Sequence, residues 1–449
     1  MVTRSQVAGR PGPRVRRTLV LVALLLLAGC SRQPGDTPVV SSDVGLFWEA
    51  YDAVRSTEDP DQRLRIIRER YIEAGSPGLD GIVRARGYTA QEYLKAIDSY
   101  PAFWDAVRPH TTEVDRVVPD ILAGIEELRE IYPGLTPARI YFTIGALRTN
   151  GTILDGNLLI GAELAFSTPE TPAKELEQDL PHLASFFATN PKRLVGSLVL
   201  HEYVHTQQGG SGGYDLLSQA LYEGVAEYVA TAGLGRESGV EAIAFGKAHD
   251  AELKAHFAGE MFLPWYDGWI WNSPDNRYGV RDLGYYMGYA VAEAYVAGAA
   301  EPRSAIERLI QLDYGDPEEV EAVVEQSGYF DRPLAELRAE YDKTRPRILG
   351  RAIVKSRNAT EADPWTFDLT VRFTEEMDTR YASAHPGPLG RDHFPEVRGV
   401  SWSEDRRSVT YEIRLERGLS YQMDIRSGYR SARGYPPVGR LLDFGPVIP

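Results

Sequence analysis

Two histidines lie four residues apart in the stretch RLVGSLVLHEYVHTQQGG, residues 193–210, and a glutamate directly follows the first of them. On an α-helix, residues i and i+4 project from the same face. His201 and His205 can therefore present two imidazoles to one metal ion, with Glu202 beside them to hold a water molecule. The alternative interpretation of this spacing is a pair of core histidines, each satisfied by a backbone carbonyl.

The downstream segment ALYEGVAEY supplies two further acids. Catalytic zinc needs three protein ligands and an open position for water. Glu223 and Glu227 are four residues apart in this segment, so both lie on one face of the predicted helix. A glycine-rich stretch, residues 207–213, separates the two helices and allows the second to fold back against the first. For each glutamate the alternative is a solvated acid on a helix face.

The motifs HEYVH at 201–205 and EGVAEY at 223–228 together resemble the gluzincin zinc metallopeptidases. The resemblance covers roughly residues 140–300 and is nearest to uncharacterised bacterial lipoproteins described as predicted zinc-dependent proteases. It implies that one Zn²⁺ per chain is bound by three ligands: His201, His205 and Glu223.

The same resemblance implies roles for the two remaining acids of these motifs. Glu202 becomes the general base for a zinc-activated water that attacks a peptide bond. Glu227 becomes the partner that braces His201 and fixes its tautomer. The corresponding brace is usually an aspartate in thermolysin-like members, and this chain has a glutamate there.

A further group must stabilise the oxyanion that develops during hydrolysis, and gluzincins often use a tyrosine or a histidine in that role. The segment DLGYYMGYAVAEAY offers Tyr285, Tyr286 and Tyr289, and Arg281 and His256 are nearby in sequence. Spacing does not choose among these residues. We select Tyr286 as the catalytic candidate, against the alternative of a tyrosine that is part of the core.

Substrate recognition has two candidate elements. A predicted strand ends at residues 160–163, IGAE, where metallopeptidases of this clan place the strand that binds the substrate backbone. Its Gly-Ala-Glu resembles the Gly-Ala-Met-Glu-Asn motif of aminopeptidases without the methionine and asparagine. This likeness makes Glu163 a candidate for binding a substrate amine, with an exposed strand acid as the alternative. The loop that carries Trp265, Trp269 and Trp271 either lines a substrate cleft or packs inside the protein.

The N-terminal thirty residues have the pattern of a secretory signal. Five arginines precede an apolar run over residues 19–27 that is too short to span a membrane. The ending Leu-Ala-Gly-Cys resembles the bacterial lipobox, which implies cleavage before Cys30 and lipid attachment to its thiol. The sequence contains no other cysteine, so neither an intramolecular disulfide nor a thiolate zinc site can form. We therefore predict a lipid-anchored, extracytoplasmic protein of the bacterial cell envelope, at the outer membrane or cell surface in a two-membraned cell, with a plain N-terminal membrane anchor as the alternative.

The formal net charge of −15 restricts the classes of partner. Nucleic acid is excluded as the expected partner, because its phosphates require a basic surface. Electrostatic docking to a membrane is disfavoured too, which leaves the lipid on Cys30 as the contact with the membrane. The expected partner at the site is a peptide or protein substrate.

The periodicity of apolar residues predicts an α+β protein: a mostly helical zincin-like metallopeptidase core with a small β-sheet, followed by a C-terminal all-β, immunoglobulin-like sandwich. A turn at Asp155-Gly156-Asn157 separates two short predicted strands. The predicted regions are a lipoprotein signal (1–29), a flexible tether (30–43), a helical N-terminal region (44–135), a gluzincin-like zinc peptidase domain (136–345) and a β-sandwich domain (346–449).

The predicted function is that of a lipid-anchored zinc peptidase. One alternative is a non-catalytic envelope component, such as a part of gliding or secretion machinery, that retains the fold. Another is a glycan-binding surface protein, suggested by the tryptophans and the C-terminal β region. The intact motif argues against the first alternative, because a scaffold has no need for the base Glu202.

Overall fold

The structure is a computed structural model that describes residues 39–210 and 212–444. The predicted signal, Cys30 and most of the predicted tether lie outside the described residues. The last part of that tether is structured: Val39–Val40 form a strand and a helix begins at Ser42. The reason is apolar burial, since Val39 and Val44 both belong to the hydrophobic core.

The first part of the described chain is helical. Several of its helices begin where the sequence offers a side chain that can accept hydrogen bonds from first-turn amides: Asp59, Ser76 and Thr89 all do so. A π-helical turn, Arg68–Ile72, continues the second helix. The helices are α1 (Ser42–Arg55), α2 (Pro60–Ile67), α3 (Pro77–Arg86), α4 (Ala90–Ser99), α5 (Pro101–Thr111) and α6 (Val114–Ile131).

A four-stranded sheet follows, formed by β1 (Val39–Val40), β2 (Ile140–Thr143), β3 (Gly151–Leu154) and β4 (Asn157–Gly161) in the order β1-β2-β4-β3. The first three in that order are parallel, and β3 runs antiparallel to β4. Asp155 and Gly156 connect β3 to β4 with φ of 52° and 71°, the backbone that a two-residue hairpin requires. The predicted turn is confirmed, and it leaves β3 at the edge of the sheet.

In the second helical part, two helices pack closely against each other: α10 (Leu216–Ala230) and α13 (Leu283–Gly298). A Cβ added to Gly224 would lie 2.1 Å from the backbone nitrogen of Tyr289, and one added to Gly288 would lie 1.8 Å from the carbonyl oxygen of Ala220. The helices are α7 (Ala162–Ala165), α8 (His182–Ala188), α9 (Pro191–His205), α10 (Leu216–Ala230), α11 (Glu241–Ala248), α12 (Asp250–Glu260), α13 (Leu283–Gly298), α14 (Pro302–Ile310), α15 (Pro317–Ser327) and α16 (Leu334–Thr344).

One hydrophobic core runs from Val39 to Tyr341 and is shared by the two helical parts and the first sheet. The residues predicted as separate regions, 44–135 and 136–345, therefore pack together. Among the described residues, no helix is both long and apolar enough to cross a membrane.

The C-terminal part is all-β, as predicted, so the described chain is an α+β protein. Its two sheets have the orders β5-β6-β9-β8 and β11-β10-β7, and side chains from both, such as Leu369 and Met423, form a second core. The strands are β5 (Ile348–Lys355), β6 (Thr366–Phe373), β7 (His385–Pro386), β8 (Glu396–Trp402), β9 (Ser408–Arg414), β10 (Tyr421–Ile425) and β11 (Arg440–Phe444).

Candidate metal centre

The structure brings together the three side chains that the sequence singles out as ligands. His201 and His205 lie on the C-terminal half of α9 with their Nε2 atoms 3.0 Å apart. Glu223, from α10, places its Oε2 atom 3.2 Å from Nε2 of His205 and 3.5 Å from Nε2 of His201. All three side chains are buried, so the convergent atoms are held in a confined place.

These three residues can hold a metal ion. Bonds of about 2.0–2.2 Å at tetrahedral angles would separate neighbouring ligand atoms by about 3.4 Å. The observed separations of 3.0, 3.2 and 3.5 Å are close to that value. Two imidazoles and one carboxylate also match the donor set of catalytic zinc sites.

Each of the three side chains has a hydrogen-bonding partner behind it. The Nδ1 atom of His201 lies 3.2 Å from Oε2 of Glu227, and that of His205 lies 2.6 Å from Oε1 of Gln208. Gln219 donates from Nε2 to Oε1 of Glu223 at 3.1 Å. With Nδ1–H donated to these acceptors, the Nε2 atom of each histidine in its neutral form carries the lone pair that a metal requires.

The two glutamines were not predicted from the sequence. Gln219 lies four residues before Glu223 on α10, a helical spacing that identifies it as a neighbour. Gln208 lies beyond the end of α9, and its amide is held by distant groups: Nε2 donates to the carbonyl of Tyr222 and to the hydroxyl of Tyr314, each at 3.0 Å. No local pattern marks that position.

The electrostatics of the cluster favour opposite charges on its members. Burial disfavours the charged form of His201, but hydrogen bonds and charges from Glu223 and Glu227 outweigh it and raise the pKa of His201 to about 10. Burial likewise opposes ionisation of Glu223, and the two histidines outweigh that effect and hold its pKa well below the ordinary value. Glu223 therefore stays ionised although it is buried, and its charge would favour a cation that replaces the proton of His201.

Glu202 is half-buried and lies beside the edge strand β3. A Cβ added to Gly151, the first residue of β3, would lie 2.8 Å from Oε1 of Glu202. The absence of a side chain at position 151 therefore leaves room for the Glu202 carboxylate between α9 and the sheet edge.

The structure does not bring Tyr286 to the metal ligands, and our choice of it needs correction. Its hydroxyl donates to Oδ1 of Asp250 at 2.7 Å, and its ring lies against Gly246 of α11. The preceding residue faces the ligands instead: the Tyr285 ring is 6.0 Å from that of His201 at an interplanar angle of 24°. Successive helix residues point about 100° apart, so only one of the two tyrosines can face α9.

Tyr285 also has the protonation state of a hydrogen-bond donor. Burial first, and then the charge of Glu223, raise its pKa well above the ordinary tyrosine value, while a hydrogen bond from the Trp271 side chain opposes them. The hydroxyl therefore keeps its proton at neutral pH.

Glu163 is fully buried and is not open to a substrate amine, so that prediction is also wrong in this structure. Its carboxylate accepts hydrogen bonds from the backbone N–H groups of Gly145 at 2.8 Å and Leu147 at 3.2 Å. Leu147 has a φ of 65°, an unfavourable backbone for leucine. Glu163 thus holds the loop that leads from β2 to β3.

The three tryptophans of the aromatic loop differ in their surroundings. Trp269 is buried and donates to Oε2 of Glu260 at 2.8 Å. The ring of Trp265 lies under the guanidinium of Arg430 at 4.0 Å. Trp271 is 57% exposed. The loop therefore both packs inside the protein and presents one indole to solvent.

Comparisons with known proteins give no family. No family model matches the chain, and no curated protein matches it. Two solved structures are similar: an S-layer protein, rSbsC(31-844), with 14% identity over 90% of this chain and a TM-score of 0.18, and surface layer protein SbsC, domains 1–6, with 13% identity over 79% and a TM-score of 0.18. The chain spans 45% of each of those structures. At such TM-scores the likeness carries no argument about fold or function.

Proposed function

We propose that this chain is a zinc-dependent peptidase that hydrolyses peptide bonds of peptides or envelope proteins. The observation that carries the proposal is the convergence of His201, His205 and Glu223 on one point, each with a hydrogen-bonding partner behind it. Glu202 directly follows His201 on the same helix as the histidines. A general base next to a metal-ligand set is what amide hydrolysis by an activated water requires.

His201, His205 and Glu223 would hold the zinc ion. When bound, zinc supplies Lewis acidity that lowers the pKa of a water molecule toward about 7. Glu202 accepts the proton of the attacking water and delivers it to the leaving amine. Tyr285, whose hydroxyl stays protonated beside the ligands, donates a hydrogen bond to the oxyanion that develops on the carbonyl oxygen.

The edge strand β3 would hold the substrate in register. Its inner side pairs with β4, and no other described strand pairs with its outer side. An extended peptide can add to such an edge through backbone hydrogen bonds. Glu202 lies against Gly151 at the start of β3, so a peptide on this edge would have its scissile bond near the proposed base.

The finer architecture and the location belong to the same proposal. Residues 136–345 would form a zincin-like, gluzincin core and residues 346–449 an immunoglobulin-like sandwich, in line with the sequence motifs and with the two cores of the described chain. A lipid on Cys30 would anchor the enzyme outside the cytoplasm, at the bacterial envelope.

Digestion of a diverse peptide library by the zinc-loaded protein tests this function. Wild type should produce defined cleavages that a chelator abolishes and zinc restores, and Glu202→Gln should lower the rate by about 10²- to 10⁴-fold while its zinc content is unchanged. An equal cleavage rate for wild type and Glu202→Gln, or no cleavage by zinc-loaded wild type, would contradict the proposal.

A further inference from the structure

Trp271 is exposed although the structure packs the other tryptophans of its loop. Its side chain is 57% exposed, whereas Trp269 is 3% exposed and Trp265 is covered by Arg430. Burying an indole is favourable because of its large apolar area. The exposed part of the Trp271 indole therefore adds nothing to the packing of the loop and is open to contact from outside.

The backbone at Trp271 is strained, and neighbouring residues hold it there. Trp271 has a φ of 55°, a value that bulky residues rarely adopt. Its N–H donates to Oδ1 of Asp282 at 2.6 Å, and the N–H of Asp282 donates to Oδ1 of Asn272 at 2.7 Å. Asp282 itself has a φ of 61°. Strain that the surroundings enforce is concentrated at functional sites.

Trp271 is connected to the metal ligands through two residues, Asp282 and Tyr285. Asp282 accepts from the N–H of Trp271 through its side chain at 2.6 Å and from the N–H of Tyr285 through its carbonyl at 3.0 Å. The Tyr285 ring also faces that of His201. On its other side, the indole meets the ring of Tyr266 edge-on, with centroids 5.4 Å apart and planes at 84°. Trp271 and Tyr266 thus form an aromatic wall that Asp282 connects to Tyr285, the residue that faces His201.

We propose that Trp271 is a specificity residue whose indole contacts an aromatic or large aliphatic substrate side chain next to the scissile bond. The proposal rests on the peptidase function proposed above and names its preferred substrate class. An aromatic wall fits such a side chain, because both surfaces lose water on contact and the quadrupoles of aromatic rings favour offset or edge-on packing. The strained backbone presents the indole to the substrate and prevents it from folding into the core.

A binding measurement on an inactive protein tests this without depending on turnover. Zinc-loaded Glu202→Gln protein is titrated with two peptides that differ at one position, phenylalanine or alanine, and the ratio of their dissociation constants is measured. We expect the phenylalanine peptide to bind about tenfold more tightly. Trp271→Ala should bring the ratio close to one, Trp271→Phe should keep most of it, and Trp265→Phe, in the same loop, should leave it unchanged.

The zinc content of every variant is measured in parallel, so that loss of the metal site is distinguished from loss of specificity. A ratio that is unchanged in Trp271→Ala, or a ratio of one in the Glu202→Gln parent, would overturn the assignment. Tighter binding of an oligosaccharide than of either peptide, lost in Trp271→Ala, would overturn it in favour of a glycan site. If zinc is bound and library peptides are cut, but the two peptides bind with equal dissociation constants, the peptidase function is supported and the role of Trp271 is contradicted.

Discussion

The amide of Gln208 is bonded at both of its ends, which fixes its orientation. Its Nε2 donates to Tyr222 and Tyr314, so the Oε1 atom is left to accept from Nδ1 of His205. The His205 ring is further held by the ring of Tyr222, 4.4 Å away and nearly parallel. The orientation of the His205 ring therefore depends on side chains that would not contact a bound metal ion.

Replacing Gln208 by alanine should weaken zinc binding by about 10- to 100-fold, because the His205 tautomer and ring orientation lose their support. Competition with a chelator of known affinity measures the change. Gln207→Ala is the matched control, since Gln207 bonds to the backbone of Thr136 and does not contact the ligands. Equal zinc affinities in the two variants would show that Gln208 does not orient His205.

Glu163 should make stability depend on pH. Burial raises its pKa from 4.5 to about 7 in the folded protein, against hydrogen bonds from Gly145 and Leu147 that lower it. The folded state then binds the proton more tightly than the unfolded chain, so stability falls as pH rises from about 4.5 to about 7. Glutamine at position 163 does not titrate, so Glu163→Gln lacks this loss of stability. The free energy of unfolding of Glu163→Gln minus that of wild type should therefore rise by up to about 3 kcal/mol between pH 4.5 and 7.

Urea unfolding of both zinc-loaded proteins at pH 5, 6 and 7.5 measures this difference, because the titrations of other groups cancel between them. Parallel pH dependences for the two proteins would mean that the Glu163 pKa is not raised.

The convergence of His201, His205 and Glu223 could be predicted from sequence, and so could the contact between Glu227 and His201, whereas Gln208 and the burial of Glu163 could not. The spacing of His201 and His205, and of Glu223 and Glu227, is set by the helical repeat, which is local. Gln208 is placed by Tyr314, a contact across 106 residues, and Glu163 of α7 is buried against the loop between β2 and β3. Such contacts depend on the tertiary structure.

At the scale of elements, two glycines determine which face of α13 meets the metal ligands. Gly224 and Gly288 let α10 and α13 approach until their backbones touch. This approach sets the rotation of α13, and with it Tyr285 faces His201 while Tyr286 faces α11 and α12. Sequence spacing offered both tyrosines and could not choose, because the choice depends on the contact between two helices.

The edge strand β3 should be sensitive to any side chain at its first residue. A Cβ at Gly151 would lie 2.8 Å from Oε1 and 3.2 Å from Cδ of Glu202, so Gly151→Ala should displace the proposed general base and lower kcat by about 10- to 100-fold. Its zinc content should stay at the wild-type value, because the metal ligands are untouched.

Gly196→Ala provides the control for Gly151→Ala. Gly196 lies on α9, the helix of the two histidines, and has open space for a Cβ. Alanine in a helix interior should stabilise the protein by roughly 0.5–1 kcal/mol and leave kcat unchanged. A kcat within twofold of wild type for Gly151→Ala would show that the first residue of β3 does not determine the position of Glu202.

At the scale of the whole molecule, the site lies within the helical core and the C-terminal β part contacts the loop beside it. Arg430 bonds to Asp267 at 3.0 Å and covers Trp265, both in the aromatic loop. The α+β class and the all-β C-terminal part follow from the change in apolar period along the sequence. The strand Val39–Val40 was not predicted, since a two-residue strand has no period.

Cys30 should determine whether the protein is attached to the membrane. In bacterial cells, wild type should fractionate with membranes and incorporate a labelled fatty acid, because acyl chains supply the apolar surface that anchors such a protein. Cys30→Ser should lose the label and move to the aqueous fraction, while Ser31→Ala should behave as wild type. A labelled or membrane-bound Cys30→Ser protein would contradict the lipoprotein proposal.

The metal content of the purified chain is the most direct test of zinc binding by His201, His205 and Glu223. The protein from position 30 onward, with Cys30→Ser, is reconstituted with zinc and measured beside His201→Ala, His205→Ala, Glu223→Ala and Glu227→Ala. We expect about one zinc ion per chain in the parent protein. Zinc binding should be lost in the first three variants and only weakened in Glu227→Ala. No stoichiometric zinc in the parent protein would contradict this expectation, and His201 and His205 would then be histidines of an ordinary buried helix.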